Sequence, residues 1–578
     1  MKVYTYFSNK DRSKILPNQW DGMALVLVLG ILGLFAWGAK QMSVPYHIGQ
    51  PLPISLDPHY LPEYALLTVL RMLIAMFLSL LFTFTIGTWA AKNRKAERII
   101  IPCIDILQSV PVIGFLTITI SVFIALFPGS LLGPQCASIF VVFTAQVWNI
   151  TLSFYQSLRT VPADYKEAAA MFHLSAWQKF WRIEVPFAMP GLLWNAMLSM
   201  SGSWIFLIAS EAITVNNQSI SLPGVGSYLG LAISQANMQA VVYAIITMLI
   251  VILLYDQLLF RPLLQWAEKF KAEYTAQEKT IRSWVTVLLQ RTRVFRYLGL
   301  MLELFSDRLI NFQSVPWTTH SASKPLPPLL ARSLNLLVNF LIFSAVIASL
   351  LMLGHYILTA TTPAELLHVL VLGLYTAARV FAVVIISTLI WVPIGVWIGL
   401  RPQWAGIVQP TAQFLAAFPM NVLFPFVVFM ILQFSLNVNI WTTPLMLLGT
   451  QWYILFNIIA GASALPKDLK QVTENFGVRG WQWWRRLILP GIFPYYITGT
   501  ITAIGNAWNT TIIAEVVTWG KTTLTAQGLG AYIVQYGNAG NFPRVALGMA
   551  VMSCFVVLLN RVLWRPLYNL AQTRYRLD

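Results

Sequence analysis

Long apolar stretches alternate with short polar ones along the whole chain, and the apolar stretches predict the architecture. Runs of roughly 20 residues, the helix length that crosses ~30 Å of hydrocarbon, recur from one end to the other. About twelve can be placed, near 23–39, 65–90, 102–127, 137–158, 188–212 and 238–260, then 330–354, 366–399, 410–433, 440–460, 494–516 and 543–561. In lipid a backbone must bond to itself, so runs of this kind predict helices. The expectation is an all-α polytopic membrane protein.

The pattern is written twice. Trp148, Pro162, Trp177, Pro186, Trp204, Glu211, Gly224 and Tyr228 match Trp452, Pro466, Trp481, Pro490, Trp508, Glu515, Gly528 and Tyr532, each 304 residues on. Earlier in the halves the offset is 308, as in Arg71 with Arg379, Gly87 with Gly395, Pro102 with Pro410 and Pro111 with Pro419. A four-residue length change near 128–136 reconciles the offsets, so the chain is an internal duplication. Six spans per half give both halves one orientation, a parallel repeat with a pathway between them. The predicted boundaries are 1–262 for the first half, 263–328 for a linker and 329–578 for the second half.

Two polar inserts interrupt this apolar plan, "DYKEAAAMFHLSAWQKFWRIEVP" at 164–186 and "DLKQVTENFGVRGWQWWRRLILP" at 468–490. Each follows the fourth span, opens with a proline and an acidic residue, and ends at a proline. The reading is a pair of short helices lying against the membrane in each half. A connection alone would need far fewer residues.

Charge refines the orientation. The chain is 57% hydrophobic and 10% charged with a formal net charge of +17, which excludes an ordinary soluble domain. The charge does not point to nucleic acid, because Lys and Arg cluster between apolar runs: Lys92, Arg94, Lys95 and Arg98; Arg261, Lys269 and Lys271; Arg561, Arg565, Arg574 and Arg576. That bias places the loops after spans two, four and six, and both termini, on the cytoplasmic side. The run 23–39 reads as an uncleaved first span rather than a signal peptide, since no small-residue cleavage site follows it. The linker is basic and partly amphipathic, suited to the cytoplasmic membrane face or to a buried partner helix. Its end, "SASKPLPP", reads as flexible.

Candidate chemistry is sparse. "GKTT" at 520–523 lacks the glycine that a phosphate loop needs five positions earlier, where Glu515 stands. The histidines and acids form no metal pattern, no G-x-S-x-G occurs, and Cys103, Cys136 and Cys554 read as small buried hydrophobes. Charges inside the spans are costly and so candidates for function. Arg71 with Glu211, and Arg379 with Glu515, lie at equal depth with opposite sign and predict a pair within each half. Scaffold, with a possible gate, is the favoured reading; attraction of an anion by the arginines is the other. Asp105 and Asp256 sit near cytoplasmic ends, solvated or capping. Polar positions on spans three and five are pathway candidates: Gln108, Ser109, Ser203, Trp204, Asn506, Trp508, Asn509 and Thr510. Packing between helices is the competing role for them.

The inserts carry a specific resemblance. Glu167-Ala168-Ala169 is followed by His173, Ile183, Val185 and Pro186; Gln471-Val472-Thr473 is followed by Gly477, Leu487, Leu489 and Pro490. This spacing resembles the Glu-Ala-Ala signature of ATP-binding-cassette importer permeases. With "PCIDILQSVPVIGFL" and "LPGVGSYLGLAIS" around it, the chain resembles fused, duplicated permeases of the nitrate/sulfonate/taurine/bicarbonate group. The resemblance implies the type I importer fold and a coupling helix in each insert, 162–186 and 466–490. It also implies two copies of a separate ATPase, which would hold ATP and Mg, and an extracytoplasmic solute-binding protein facing "SLPGVGSYLG" and "TAQGLGAYIV". The chain itself would carry no cofactor, lie in a bacterial cytoplasmic membrane and pass a small solute, an anion by resemblance. Two departures are plain: His173 stands where the signature has glycine, and Gln471 where it has glutamate. The alternative is a twelve-span ion-coupled secondary transporter, which would need protonatable groups at the midplane.

Overall fold

The computed structural model describes residues 54–112, 114, 116–215, 218–270, 284–311 and 328–574, with isolated positions between 22 and 42. The predicted first span lies largely outside them, as do residues 271–283 and the "SASKPLPP" stretch. Contacts divide the chain into two units, one of residues 42–152, 198–252 and 332–578, the other of residues 1–41, 153–197 and 253–331.

Eight helices among the described residues are long and apolar enough to cross a membrane: Pro58–Lys92, Leu132–Arg159, Ala176–Glu211, Met238–Phe270, Pro363–Gly399, Val438–Ser463, Gly480–Ala514 and Phe542–Ala571. A bent pair, Thr411–Ala417 with Met420–Gln433, makes a ninth at an angle of 81°. The chain is an all-α polytopic membrane protein, while twelve remains the count of the sequence pattern alone. The shortfall has three sources. Span one of the first half is largely undescribed, span one of the second is the helix Pro328–Leu358, and span three is broken in both halves.

The break in span three follows from a proline. Arg94–Ser109 ends at Val110 (φ −80°, ψ 127°) and Pro402–Ala417 ends at Phe418 (φ −72°, ψ 129°). Each stands directly before a proline, Pro111 or Pro419, whose ring disfavours the helical conformation in the residue preceding it. The chain resumes as Leu116–Leu126 and, after a short 3-10 turn, as Phe424–Gln433.

Prolines act differently in the inserts, and here the reading of two separate surface helices is corrected. The first piece is a free-standing helix, Ala163–Met171 or Lys467–Asn475. The Trp-rich second piece continues into span five, giving the unbroken helices Ala176–Glu211 and Gly480–Ala514. Pro186 and Pro490 do not stop them because a π-turn precedes each, Phe180–Glu184 and Trp484–Ile488. The wider turn re-pairs the carbonyls that a proline leaves without a donor.

Span five leads into a two-stranded antiparallel hairpin in each half, Ala212–Val215 with Gln218–Ser221 and Val516–Trp519 with Thr522–Thr525. Gly520 and Lys521 of "GKTT" form the second hairpin's turn, with Gly520 at φ +59°, and its threonines begin the returning strand, so no helix N-terminus exists there to hold a phosphate. One apolar cluster gathers Val369, Leu445, Trp508, Val545 and Met552 of the second half. Another, around Val112, Leu116 and Phe206 of the first half, is joined by Ile513 of the second. The cysteine reading is also corrected: Cys103 and Cys554 are exposed and Cys136 is half-buried. An apolar span turns part of its surface outward to lipid, so an apolar neighbourhood in sequence does not make a residue internal.

Candidate functional site

Three places concentrate the polar chemistry: the inserts, a buried ion pair at the hairpin end of each half, and a seam where the halves meet within the larger unit.

Each insert helix begins after a proline with an acidic residue in its first turn, Asp164 or Asp468, where the positive helix end favours it. Each ends in the same left-handed turn. His173 (φ +49°) and Gly477 (φ +62°) donate to Ala170 and Glu474, both at 3.0 Å. Leu174 and Val478 reach back five residues to Ala169 and Thr473 at 3.0 and 2.9 Å. This double closure satisfies the last carbonyls, and it holds His173 where a side chain costs about 1 kcal/mol. Ala169 is buried, whereas Glu167, Gln471 and Val472 are exposed, and Ala168 and Thr473 are half-buried. The turn lifts a phenylalanine clear of the chain in both halves: Phe172 is 75% and Phe476 80% exposed. The sequence reading missed this pair, although the phenylalanine one residue before the left-handed position was visible in both repeats.

The first insert also carries a linker contact. Trp177 Nε1 donates to the Leu309 carbonyl at 3.3 Å. Gln178 Nε2 and Arg182 Nη2 both donate to Asn311 Oδ1, at 3.3 and 3.0 Å. The linker helix Arg293–Asn311 is thereby tied to the stem of the first insert.

At the hairpin end, Arg71 and Glu211 meet at 2.5 Å with neither side chain exposed. Arg71 also donates to Gln135 Oε1 at 2.6 Å and to the Pro223 carbonyl at 2.7 Å. Glu211 accepts from Thr68 Oγ1 at 2.8 Å and from the Gly226 amide at 2.7 Å. The second half repeats the plan: Arg379 to Glu515 at 2.7 Å, Thr376 Oγ1 to Glu515 at 2.9 Å, and the Gly530 amide to Glu515 at 2.7 Å. Both carboxylates thus tie span two to span five and accept amides from the first turn of the next helix, Val225–Ser234 or Leu529–Asn538. A Cβ on Gly224 or Gly528 would overlap the carboxylate, so glycine there lets the backbone close over it. The guanidiniums are buried, at 0% and 7% exposure, and spend their donors on protein acceptors. One feature has no counterpart: Arg544 pairs with Glu365 at 2.7 Å, where the first half has Ala240. Asp256 pairs with Arg261 at 2.9 Å.

The seam is formed by the broken third spans. The Val112 amide, released by the break, donates to Asn509 Oδ1 of the other half at 2.8 Å. From the opposite side, Asn421 Nδ2 donates to the Ile205 carbonyl at 3.2 Å. Ile205 and Asn509 are the same position of the repeat, so each broken span crosses to span five of the other half. Beside these bonds lies a cavity of ≈340 Å³ lined from both halves, by Gly114, Leu116 and Ile208 and by Asn421, Phe424 and Ile512 among others.

None of the eight predicted pathway residues lines this cavity. Ser203 Oγ and Thr510 Oγ1 bond back to carbonyls of their own helix, Ser199 at 2.7 Å and Asn506 at 2.9 Å. Asn506 Nδ2 donates to the Gly449 carbonyl at 2.9 Å, and Asn509 serves the seam. Trp204 and Trp508 are buried at 1% exposure, Trp508 against Phe555 with ring centroids 6.3 Å apart. Gln108 is exposed, and Ser109 is the last residue of its helix. Asn421 was missed because it lies inside the run 410–433, read as one unbroken span, in the short turn after a break that the sequence reading did not expect. Among the described residues no group of His, Cys, Asp and Glu could hold a metal ion.

A family described as "binding-protein-dependent transport system inner membrane component" matches this chain twice, over residues 83–260 and 391–565. The chain belongs to that family. The two matches enclose both inserts, both broken third spans and both buried glutamates. Similar curated proteins include the bicarbonate transport system permease protein CmpB of Synechococcus elongatus, 23% identical over 173 residues, 30% of this chain and 58% of that protein. The nitrate import permease protein NrtB of Leptolyngbya laminosa is 22% identical over 245 residues, 41% of this chain and 83% of that protein. The taurine transport system permease protein TauC of Escherichia coli is 23% identical over 183 residues, 31% of this chain and 62% of that protein. The chain thus spans less than two thirds of the bicarbonate and taurine relatives.

Proposed function

We propose that this chain is the permease of an ATP-driven, binding-protein-dependent importer, with both membrane halves fused in one polypeptide. Residues 1–262 and 329–578 form the halves, 263–328 the linker, and a small solute passes at the seam. The inserts 162–186 and 466–490 each receive one copy of a separate ATPase on the cytoplasmic side, where both termini also lie. Glu167, Ala168, Ala169 and His173, and Gln471, Val472, Thr473 and Gly477, build the helix that docks. ATP and Mg belong to that partner; this chain performs no catalysis. A solute-binding protein meets the hairpin end.

The observation that carries this reading is the repeated insert: a short helix closed by a left-handed turn that exposes Phe172 or Phe476. Exposed aromatics on a polar membrane segment suit a protein partner rather than water, and a secondary transporter needs no such pair. The relatives named for bicarbonate, nitrate and taurine support import of a small solute. The buried ion pairs act as scaffold in this reading, holding span two, span five and the hairpin as one body. Purification of the tagged chain in mild detergent tests it. An ATPase should accompany the chain; a chain that purifies alone and moves solute down a proton gradient is a secondary transporter instead.

A further inference from the structure

We propose that the elbow between span two and the broken span three of the first half, residues 92–98, holds the headgroup of an anionic phospholipid at the membrane surface, and that the second half has no such site. The inference needs only that the chain spans a membrane, so it stands apart from the ATPase and the solute.

The helix Pro58–Lys92 meets the hairpin end through Arg71 and runs from there to the opposite membrane surface. Phe77, Leu81 and Trp89 along it are 66%, 53% and 56% exposed. The helix thus turns apolar side chains to lipid and ends near a tryptophan, a residue that settles at headgroup level. Directly after it, Asn93 caps the helix Arg94–Ser109, accepting from the Lys95 and Ala96 amides at 2.9 and 3.3 Å. The first turns of that helix carry Arg94, Lys95 and Arg98, all exposed and without an ion pair among the described residues. Residues three and four apart on a helix are neighbours, and like charges there repel one another. With Lys92 alongside, four cations stand against one acid, Glu97. A phosphate oxygen among them turns that repulsion into charge-assisted hydrogen bonds.

The occupant is a lipid rather than a soluble anion because exposed hydrocarbon flanks the cations, Trp89 before them and Ile99 after them. Leu81 lies about 16 Å of helix above Lys92, within reach of an acyl chain whose phosphate sits at the elbow. The second half departs at every cationic position. Leu400, Pro402, Gln403 and Gly406 stand where the first half has Lys92, Arg94, Lys95 and Arg98. Its one cation there, Arg401, lies over the Trp397 ring at 4.6 Å and donates to the Trp397 carbonyl at 3.0 Å. The helix that the headgroup braces is the one that breaks before Pro111 and leads to the Val112 amide and Asn509. The lipid therefore steadies the first half's side of the seam.

The test is native mass spectrometry of the full chain in mild detergent, titrated with dioleoyl phosphatidylglycerol or dioleoyl phosphatidylcholine. The anionic lipid should bind about tenfold or more tightly than the zwitterionic one, and raising salt from about 0.05 to about 0.5 M should narrow the gap. The triple variant Arg94→Gln, Lys95→Gln, Arg98→Gln should lose the tightest-bound phosphatidylglycerol, whereas Arg401→Gln should keep it. Glycerol phosphate, which has the charge without the chains, should not displace the lipid at equal concentration. Equal binding of the two lipids, full retention of the tight lipid by the triple variant, or displacement by glycerol phosphate would overturn the proposal. A triple variant that keeps the lipid but loses a co-purifying ATPase would make the patch a protein surface and overturn it as well. The three side chains are exposed, so the variant should fold. Should it not, Arg98→Gln alone decides, with an expected loss of about fivefold in affinity for phosphatidylglycerol.

Discussion

His173 and Gly477 occupy one position of the repeat, and both are left-handed. Gly477→Ala should cost about 1 kcal/mol locally, read as a roughly fivefold loss of hydrogen-exchange protection at the Val478 amide. Unchanged protection would mean that the turn is held from outside. The buried pairs are harsher. Glu211→Gln leaves Arg71 charged with no counter-ion at 0% exposure and should lower stability by about 3–5 kcal/mol. The double variant Arg71→Met, Glu211→Leu should recover much of that loss in the same denaturant unfolding. A double variant as unstable as the single one would show that the pair does more than neutralise itself. The charges of these pairs were legible in the sequence because equal depth and opposite sign recur. Their neutral partners, Thr68, Gln135 and Thr376, were not, because a threonine or glutamine in an apolar run has no pattern to distinguish it from packing.

Among the elements, the spans could be read from apolar run length, and the breaks in span three trace to Pro111 and Pro419. The prolines of the inserts misled, since Pro186 and Pro490 resemble helix stops until the π-turns before them are seen. No composition rule distinguishes a proline that ends a helix from one absorbed by a wider turn. The linker is the element with one-sided consequences. Asn311→Ala removes both side-chain bonds to the first insert stem. Exchange at residues 176–182 should rise several-fold while residues 480–486 stay as they were. An equal change at both stems would mean that the linker acts on the chain as a whole.

At the scale of the whole molecule, duplication explains most of what was legible and most of what was not. Features present in both halves announced themselves by the 304- and 308-residue offsets: the inserts, the ion pairs and the matched prolines Pro111 and Pro419, although the break of span three at those prolines was not read from them. Features in one half had no such signal: Asn421 at the seam, the Arg544–Glu365 pair and the linker contact to the first insert. The seam is where symmetry is used and then departed from, with Val112 to Asn509 on one side and Asn421 to Ile205 on the other. In the proposed function the two inserts are matched docking sites for a separate ATPase. The most direct measurement is the amount of ATPase retained by the tagged chain in mild detergent, comparing the unaltered chain with Phe172→Asp, Phe476→Asp and both together. The expected result is two copies per chain, then one for each single variant, then none for the double variant. Full retention by the double variant would contradict it.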